Sequence, residues 1–144
     1  MNITDVEFVK HLQQNEEESE DMLDQIFRKQ MDLMMKYHEI EKRNGCLITP
    51  DVPVDLHSHL GQHRLKDFAW RITEELGEAM SCLKNKPWKA TPMATDIQHY
   101  KEEIADAFHF FVELCILSGI SSNDLFEIYM KKNVVNTFRQ GSGY

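Results

Sequence analysis

Carboxylate side chains recur in two short segments whose composition is that of a helix. The segments read E-E-L-G-E at 74–78 and E-E-I-A-D at 102–106. Residues three apart share a helix face, so Glu75 pairs with Glu78 and Glu103 pairs with Asp106. If the two helices pack antiparallel, these four carboxylates can converge near the core, where their charges repel unless a cation neutralises them. Oxygen ligands of this kind indicate Mg²⁺, with Mn²⁺ as a second possibility, and not zinc.

Other interpretations of the polar residues compete with this one. The carboxylates could simply be exposed side chains of amphipathic helices. The D-L-H-S-H pattern at 55–59 occurs in metal-dependent hydrolases, but those need a barrel of about 250 residues, and the chain has 144. The D-x-x-H at 106–109 is reminiscent of di-iron bundles, which need E-x-x-H on two helices. The sequence lacks that second motif, so we expect no iron site. Because the chain is too short for the barrel, we expect residues 55–59 to form a polar loop.

The elements that must position the carboxylates are helices. Apolar residues recur every three to four positions, and the four prolines lie only in the breaks between segments. The predicted helices are Asp21–Arg43, Gln62–Asn85, Asp96–Ser118 with Thr95 as the cap, and a fourth capped by Ser121 or Ser122. A shorter helix is predicted to precede them, with Thr4 as its cap. The pattern predicts one all-α domain over 1–144, a four- to five-helix bundle with an acidic extension at 1–20 and a flexible tail at 140–144.

Composition excludes several classes of protein. The net charge is −8, whereas nucleic-acid binders usually carry a basic surplus, so we expect no nucleic-acid partner. There is no run of about 18 apolar residues and no visible secretory signal, so we expect a cytoplasmic protein without a membrane partner. Only 10 of the 144 residues are Gly or Pro, too few turn-formers for a many-stranded β-sandwich or barrel.

Two motifs together resemble those of a known superfamily. The first is E-E-x-x-E followed by E-x-x-D, and the second is the ending K-N-V-V-N-T-F-R-Q-G-S-G-Y at 132–144. Both resemble the all-α nucleoside triphosphate pyrophosphatases, which include the dimeric dUTPases, the MazG-type enzymes and the dCTP pyrophosphatases. The ending is most similar to that of dimeric dUTPases and their phage relatives. The resemblance covers about residues 20–144 and implies the helical bundle already predicted.

The resemblance implies roles for individual residues. The expected metal ligands are Glu75, Glu78, Glu103 and Asp106, and the residue that orients the attacking water is expected to be Glu74 or Glu75. The expected phosphate and nucleotide contacts are Lys132, Asn133, Asn136, Arg139 and Tyr144. Gln30 on the first long helix and Trp70 are the candidates for contacting the base, with Asp32 and Trp88 as further possibilities.

The function implied is Mg²⁺-dependent hydrolysis of a nucleoside triphosphate to a monophosphate and pyrophosphate. The similarity of the ending favours dUTP, with dCTP or a broader MazG-type range of nucleotides as the alternative. A short helical chain leaves apolar faces uncovered, so a homodimer or homotetramer is expected. The rival from another class is a helical interaction module without catalytic activity, and such a module has no reason to place four acids at the edge of its core.

Overall fold

The computed structural model describes residues 21–143, and within that range helices are the only regular secondary structure. The helices are α1 (Met22–Arg43), α2 (His59–Cys82), α3 (Ile97–Leu117) and α4 (Ser122–Gly141). The all-α prediction is therefore confirmed. The predicted short helix near Thr4, the acidic extension at 1–20 and Tyr144 lie outside the described residues.

Helix α2 begins earlier than predicted because Ser58 caps it. The Ser58 hydroxyl accepts a hydrogen bond from the backbone N–H of Gly61 at 2.9 Å and donates one to the Asp55 carbonyl. A Cβ at Gly61 would lie 2.1 Å from that same carbonyl oxygen, so only glycine fits here. The D-L-H-S-H segment is thus a polar turn leading into a helix cap, as expected.

Helix α3 is capped by Asp96 rather than by the predicted Thr95. The Asp96 carboxylate accepts a hydrogen bond from the backbone N–H of His99 at 3.1 Å. Thr95 instead donates its hydroxyl proton to the carbonyl of Leu83 at 3.0 Å. Thr95 and Asp96 both have side chains that can cap a helix. Asp96 is the cap because it stands three positions before His99, whose backbone N–H needs a partner at the start of the helix.

Helices α2 and α3 pack against each other along most of their length, and α1 covers α3. The core between them contains Met34 from α1, Phe68 from α2, and Val112 and Leu117 from α3, each fully buried. The loop after α1 joins this core through Val54, whose N–H donates to the Leu117 carbonyl at 2.9 Å. The α2–α3 pair is therefore the rigid frame on which the carboxylates stand.

The apolar stripe predicted for α2 is covered only in part. Phe68 and Ala79 are buried, but Leu76 remains 42% exposed and Met80 50% exposed. Burying a side chain of this size stabilises a protein by about 1.5–3 kcal/mol. Within a single chain, Leu76 and Met80 in the second half of α2 do not gain this stabilisation.

Helix α4 leaves the bundle at a steep angle. It is bent by 104° from α3 and packs chiefly against α1. None of its residues is buried, and its exposed apolar side chains include Phe126, Tyr129, Val134 and Phe138. This exposed apolar side of α4 is too extensive to be typical of an isolated chain in water.

In residues 21–143, no single helix is both long and apolar enough to cross a membrane. The bent pair of α3 and α4 would satisfy the criteria of length and composition only when taken together.

Candidate metal centre and nucleotide pocket

Three of the predicted carboxylates meet at the junction of α2 and α3. Glu75 from α2 and Glu103 and Asp106 from α3 each place a carboxylate oxygen within 4.8 Å of the others. Glu103 is buried, Glu75 is half-buried and Asp106 is exposed, so the group runs from the core to the surface. We call these three residues the acidic cluster. Its oxygens are close enough to ligate one hard divalent cation.

The electrostatics of the acidic cluster are unfavourable when it stands alone. Burial, a hydrogen bond with Glu103 and the charges of Glu78 and Asp106 raise the pKa of Glu75 to about 7. Each of these causes penalises the ionised carboxylate. A divalent cation bound here would reverse the balance, because it stabilises every ionised oxygen that it contacts.

Two predicted residues of α2 stand apart from the acidic cluster. Glu78 adds charge to the surroundings of Glu75, but it does not belong to the group of three oxygens within 4.8 Å. Glu74 points to the exposed side of α2, where its carboxylate accepts a hydrogen bond from the indole N–H of Trp70 at 2.9 Å. Trp70 itself is 63% exposed. The structure therefore brings Glu74 and Trp70 together, but on the outer surface.

His99 is a residue of this region that sequence reasoning missed. Its Nε2 lies 2.9 Å from an Oε1 of Glu103, and its Nδ1 lies 3.6 Å from Glu102. An outer partner of this kind fixes the orientation of a carboxylate that ligates a metal. The signal in the sequence was the spacing, since His99 precedes Glu103 by one helical turn.

The basic residues predicted to contact phosphate all lie on α4. Lys132, Asn133, Asn136 and Arg139 are exposed, and they belong to a helix that packs on α1. Within the described chain α4 is not among the helices packed on α2. These residues therefore stand on a different helix from Glu75, Glu103 and Asp106. Tyr144 lies outside the described residues.

A pocket of about 330 Å³ opens between α1 and α3, and Nδ1 of its lining residue His109 lies 3.9 Å from Oδ1 of Asp106 in the acidic cluster. Its walls are mainly apolar, with Ile26 and Leu33 from α1 and Phe108 and Val112 from α3. The polar lining residues are Gln25, Lys29, Gln30 and His109. His109 stands one turn beyond Asp106 on α3, so the pocket adjoins the metal-binding candidates. Its size and apolar walls suit a flat aromatic ring such as a nucleobase.

Behind this pocket lies a second polar group, which we call the inner cluster. The amide Nε2 of Gln30 donates a hydrogen bond to Oε2 of Glu113 at 3.0 Å. Burial raises the pKa of Glu113 to about 7, although this hydrogen bond and the charges of Arg64 and Arg71 oppose the rise. Both arginines also bind Glu41, at 2.7 and 3.0 Å.

The two arginines of the inner cluster lower the pKa of the Glu41 carboxyl. Burial alone would raise the pKa of that carboxyl, but the hydrogen bonds from Arg71 and Arg64 outweigh burial and lower it. Both guanidinium groups also lie over the ring of Phe68, 4.8 and 4.6 Å from its centroid. Glu41 and the ring of Phe68 therefore hold the two guanidinium groups, while the buried Nε and Nη2 of Arg64 have no hydrogen-bond partner among the described residues.

The fold and the site together define an all-α protein with a carboxylate-lined candidate metal centre beside an apolar pocket. Over 79 residues the chain is 34% identical to a dCTP pyrophosphatase of Enterobacteria phage LZ5. The match covers 47% of this chain and 46% of that relative, so the chain matches less than half of the relative's length. No family model matches the chain, and no solved structure matches it significantly. The match and the helical fold both fit the resemblance predicted from the motifs.

Proposed function

We propose that the protein is a Mg²⁺-dependent pyrophosphohydrolase of deoxynucleoside triphosphates, which releases the monophosphate and pyrophosphate. The observation that carries the proposal is the acidic cluster, in which Glu75, Glu103 and Asp106 approach within 4.8 Å. An all-carboxylate donor set fits Mg²⁺, and Mn²⁺ is the natural substitute. The similarity to a phage dCTP pyrophosphatase supports this reaction class.

The residues of the acidic cluster would hold the cation, with Glu78 adding negative charge nearby. The bound ion would supply charge neutralisation and a water of lowered pKa. Glu75 is the residue best placed to orient that water, because it belongs to the cluster, whereas Glu74 faces Trp70 on the exposed side. His99 would hold Glu103 in position through their 2.9 Å contact.

The triphosphate needs positive side chains, and the proposed ones are on α4. Lys132 and Arg139, with Asn133, Asn136 and Tyr144, would contact the phosphates as the resemblance implies. Helix α4 carries an exposed apolar side and is bent steeply away from α3. A second copy of the chain that packs on this side would bring the α4 residues of one chain to the acidic cluster of the other. We therefore include a homodimer or homotetramer in the proposal.

The base would enter the pocket between α1 and α3, where Gln30 lies on the wall. Two pyrimidine substrates are the candidates. The C-terminal motif favours dUTP, whereas the similarity to a dCTP pyrophosphatase favours dCTP. We place dCTP first, dUTP second and a broader MazG-type range third. Trp70 would contact the base only if a second chain covers its exposed ring.

The test is a pyrophosphate-release screen over all common dNTPs and NTPs, in Mg²⁺ and in chelator. Glu103→Gln should abolish turnover, because Glu103 is the buried member of the acidic cluster. Glu102→Gln is the matched control, since Glu102 is the exposed neighbour that binds Gln98 and His99. Turnover that persists in chelator, or that is equal in both variants, contradicts the proposal. A complete lack of turnover would favour the non-catalytic interaction module.

A further inference from the structure

The loop between α2 and α3 concentrates positive charge in an acidic protein. Residues 83–95, which we call the lysine loop, contain Lys84, Lys86 and Lys89 but no Asp or Glu, although the whole chain has a net charge of −8. Within residues 21–143, none of these three lysines forms a salt bridge. Their charges are therefore available to an anion from outside the chain.

The lysine loop encloses a pocket of about 280 Å³. Its polar lining residues are the three lysines, Asn85 and Thr91, and no acidic residue lines it. Ammonium, amide and hydroxyl groups all donate hydrogen bonds, so this set of side chains suits a ligand made of acceptor oxygens. The volume is at the lower end of the range for small-molecule sites, which favours a small polyanion over a whole nucleotide.

The two ends of the lysine loop are tied together where α2 ends and α3 begins. The backbone N–H of Asp96 donates to the carbonyl of Cys82 at 2.9 Å, and the hydroxyl of Thr95 donates to the carbonyl of Leu83 at 3.0 Å. A loop that is already closed loses less conformational entropy when a ligand binds. The lysines are therefore carried by the same two helices that carry the acidic cluster.

Lys84 has a backbone conformation that is more typical of glycine. Its φ is +57°, which lies in the left-handed region that glycine commonly adopts just after a helix. Its N–H donates to the carbonyl of Ser81 at 3.3 Å and so completes the end of α2. Glycine would form this helix end with less strain, so the side chain is what a lysine adds at this position.

Along α3 the lysine loop, the acidic cluster and the pocket between α1 and α3 follow one another in that order. The loop precedes Ile97, the acidic cluster takes Glu103 and Asp106, and the pocket is lined by residues between 105 and 112. Glu103 lies about 9 Å along the helix axis from Ile97. A nucleotide with its base in the pocket and its phosphates at the acidic cluster would therefore direct the end of its phosphate chain toward the loop.

We propose that the lysine loop is a binding site for polyphosphate anions that adjoins the acidic cluster. Three ammonium groups around one pocket match the several anionic oxygens of a pyrophosphate group. Two sources provide such a group, namely the terminal phosphates of a bound nucleotide and free pyrophosphate. For the first source the inference rests on the proposed function. Unlike Lys132 and Arg139, these lysines would serve the acidic cluster of their own chain.

The test is a calorimetric titration of the full chain with pyrophosphate and with tripolyphosphate, each in chelator and in Mg²⁺. The double variant Lys86→Gln/Lys89→Gln should bind both anions at least about tenfold more weakly, because charge-assisted contacts are lost. The matched control is Lys36→Gln/Lys66→Gln, which removes the same charge at two exposed positions that do not line this pocket. The control should bind as the wild type does.

Lys84→Gly separates binding from folding. Because glycine adopts the left-handed conformation readily, this variant should keep or raise the wild-type melting temperature. It should nevertheless bind pyrophosphate at least about threefold more weakly, since one cation has gone. Binding that is undiminished in all the lysine-loop variants overturns the proposal, and so does a wild type that binds neither anion in either condition.

The two conditions identify the source of the anion. Binding in chelator that survives Glu75→Gln assigns the lysine loop to a free anion. Binding that needs both Mg²⁺ and Glu75 assigns it to a phosphate chain that spans the loop and the acidic cluster, and the double variant should then also lower kcat/KM about tenfold or more.

Failure of this inference is distinguishable from failure of the proposed function. If no nucleotide is hydrolysed but the lysine-loop variants lose anion binding, the proposed function is wrong and the anion site stands. If nucleotides are hydrolysed and the variants bind both anions like the control, the anion site is wrong and the reaction stands.

Discussion

Burial raises the pKa of two carboxyl groups in this protein, Glu75 and Glu113, to about 7, but the groups around them act in opposite directions. In the acidic cluster, Glu75 is half-buried, with further carboxylates around it and a hydrogen bond to one of them. In the inner cluster, Glu113 is buried, but the arginines around it favour its charge and partly offset the burial. The charges of the inner cluster are thus balanced from within the chain, while the acidic cluster carries an excess of negative charge.

The difference separates the inner cluster, whose charges the chain offsets, from the acidic cluster, where the proposed cation would offset them. A group whose charges the chain itself offsets needs no added cation and serves to hold its neighbours in place. A group of like charges that is left uncompensated is stable only because it is partly solvated and partly protonated. The cation proposed for this cluster would supply the missing positive charge.

The largest expected effect tests the internal balance of the inner cluster. Glu41→Gln removes the partner of the buried Arg64 and leaves that guanidinium without a counter-charge. Breaking a buried pair in this way costs about 3–5 kcal/mol, so the urea midpoint should fall markedly. Asp67→Asn is the control, because the Asp67–Arg71 pair is more exposed and is worth about 1 kcal/mol or less. Equal losses in the two variants would show that the inner cluster is not internally balanced.

A loss of activity comes next and tests the acidic cluster. Glu75→Gln removes one charged ligand at nearly constant shape, and turnover should fall at least about a hundredfold. The melting temperature in chelator should rise, because one repulsive charge has gone. Lower stability in chelator together with undiminished turnover would mean that the three carboxylates do not act as one site.

The third prediction concerns the counter-charges that the substrate itself requires. Lys132→Ala or Arg139→Ala should reduce kcat/KM by about tenfold to a hundredfold, the size of a charge-assisted contact to phosphate. Neither variant should change the stabilisation by Mg²⁺ alone, measured by thermal melting. Unchanged kinetics in both variants would show that the basic side of α4 does not meet the triphosphate.

The last prediction concerns the dependence of stability on pH. Both raised pKa values mean that the native state binds more protons than the unfolded chain, so stability falls as pH rises from about 4.5 to about 7. Saturating Mg²⁺ should remove the part due to Glu75 and leave the part due to Glu113. Urea titrations at pH 5 and 8, with and without Mg²⁺, measure the two parts. If Mg²⁺ leaves the dependence of the free energy of unfolding on pH unchanged, no cation binds at Glu75.

The sequence predicted more of the acidic cluster than of its surroundings. The spacing of Glu103 and Asp106 determines their shared face, and a helix needs no further information to bring them together. Glu74 and Glu75 are adjacent in sequence, and which of them faces α3 depends on how α2 is rotated against its neighbour. Helical periodicity locates that rotation only roughly, so the outward direction of Glu74 was not foreseen.

The inner cluster was less accessible to prediction. Gln30 and Glu113 are 83 positions apart, and no local pattern marks a glutamate in a mostly apolar stretch of α3 as the partner of a glutamine on α1. The helices themselves were predictable, because their caps and periodicity are local properties. The steep departure of α4 depends on the short turn after α3 and on contacts with α1, neither of which periodicity describes.

That turn also determines how α4 is presented to its surroundings. The Ser121 and Asp124 side chains form a reciprocal capping box at the start of α4, and the hydroxyl of Ser122 binds Asp24 on α1. These contacts tie the base of the helix to the bundle before anything docks on it. A helix that is already ordered loses little conformational entropy on association. Burial of the apolar side of α4 would therefore contribute almost fully to the affinity. If α4 forms the contact of the proposed homodimer or homotetramer, weakening this anchorage, for example by Asp124→Ala, should weaken self-association without removing any residue from that contact.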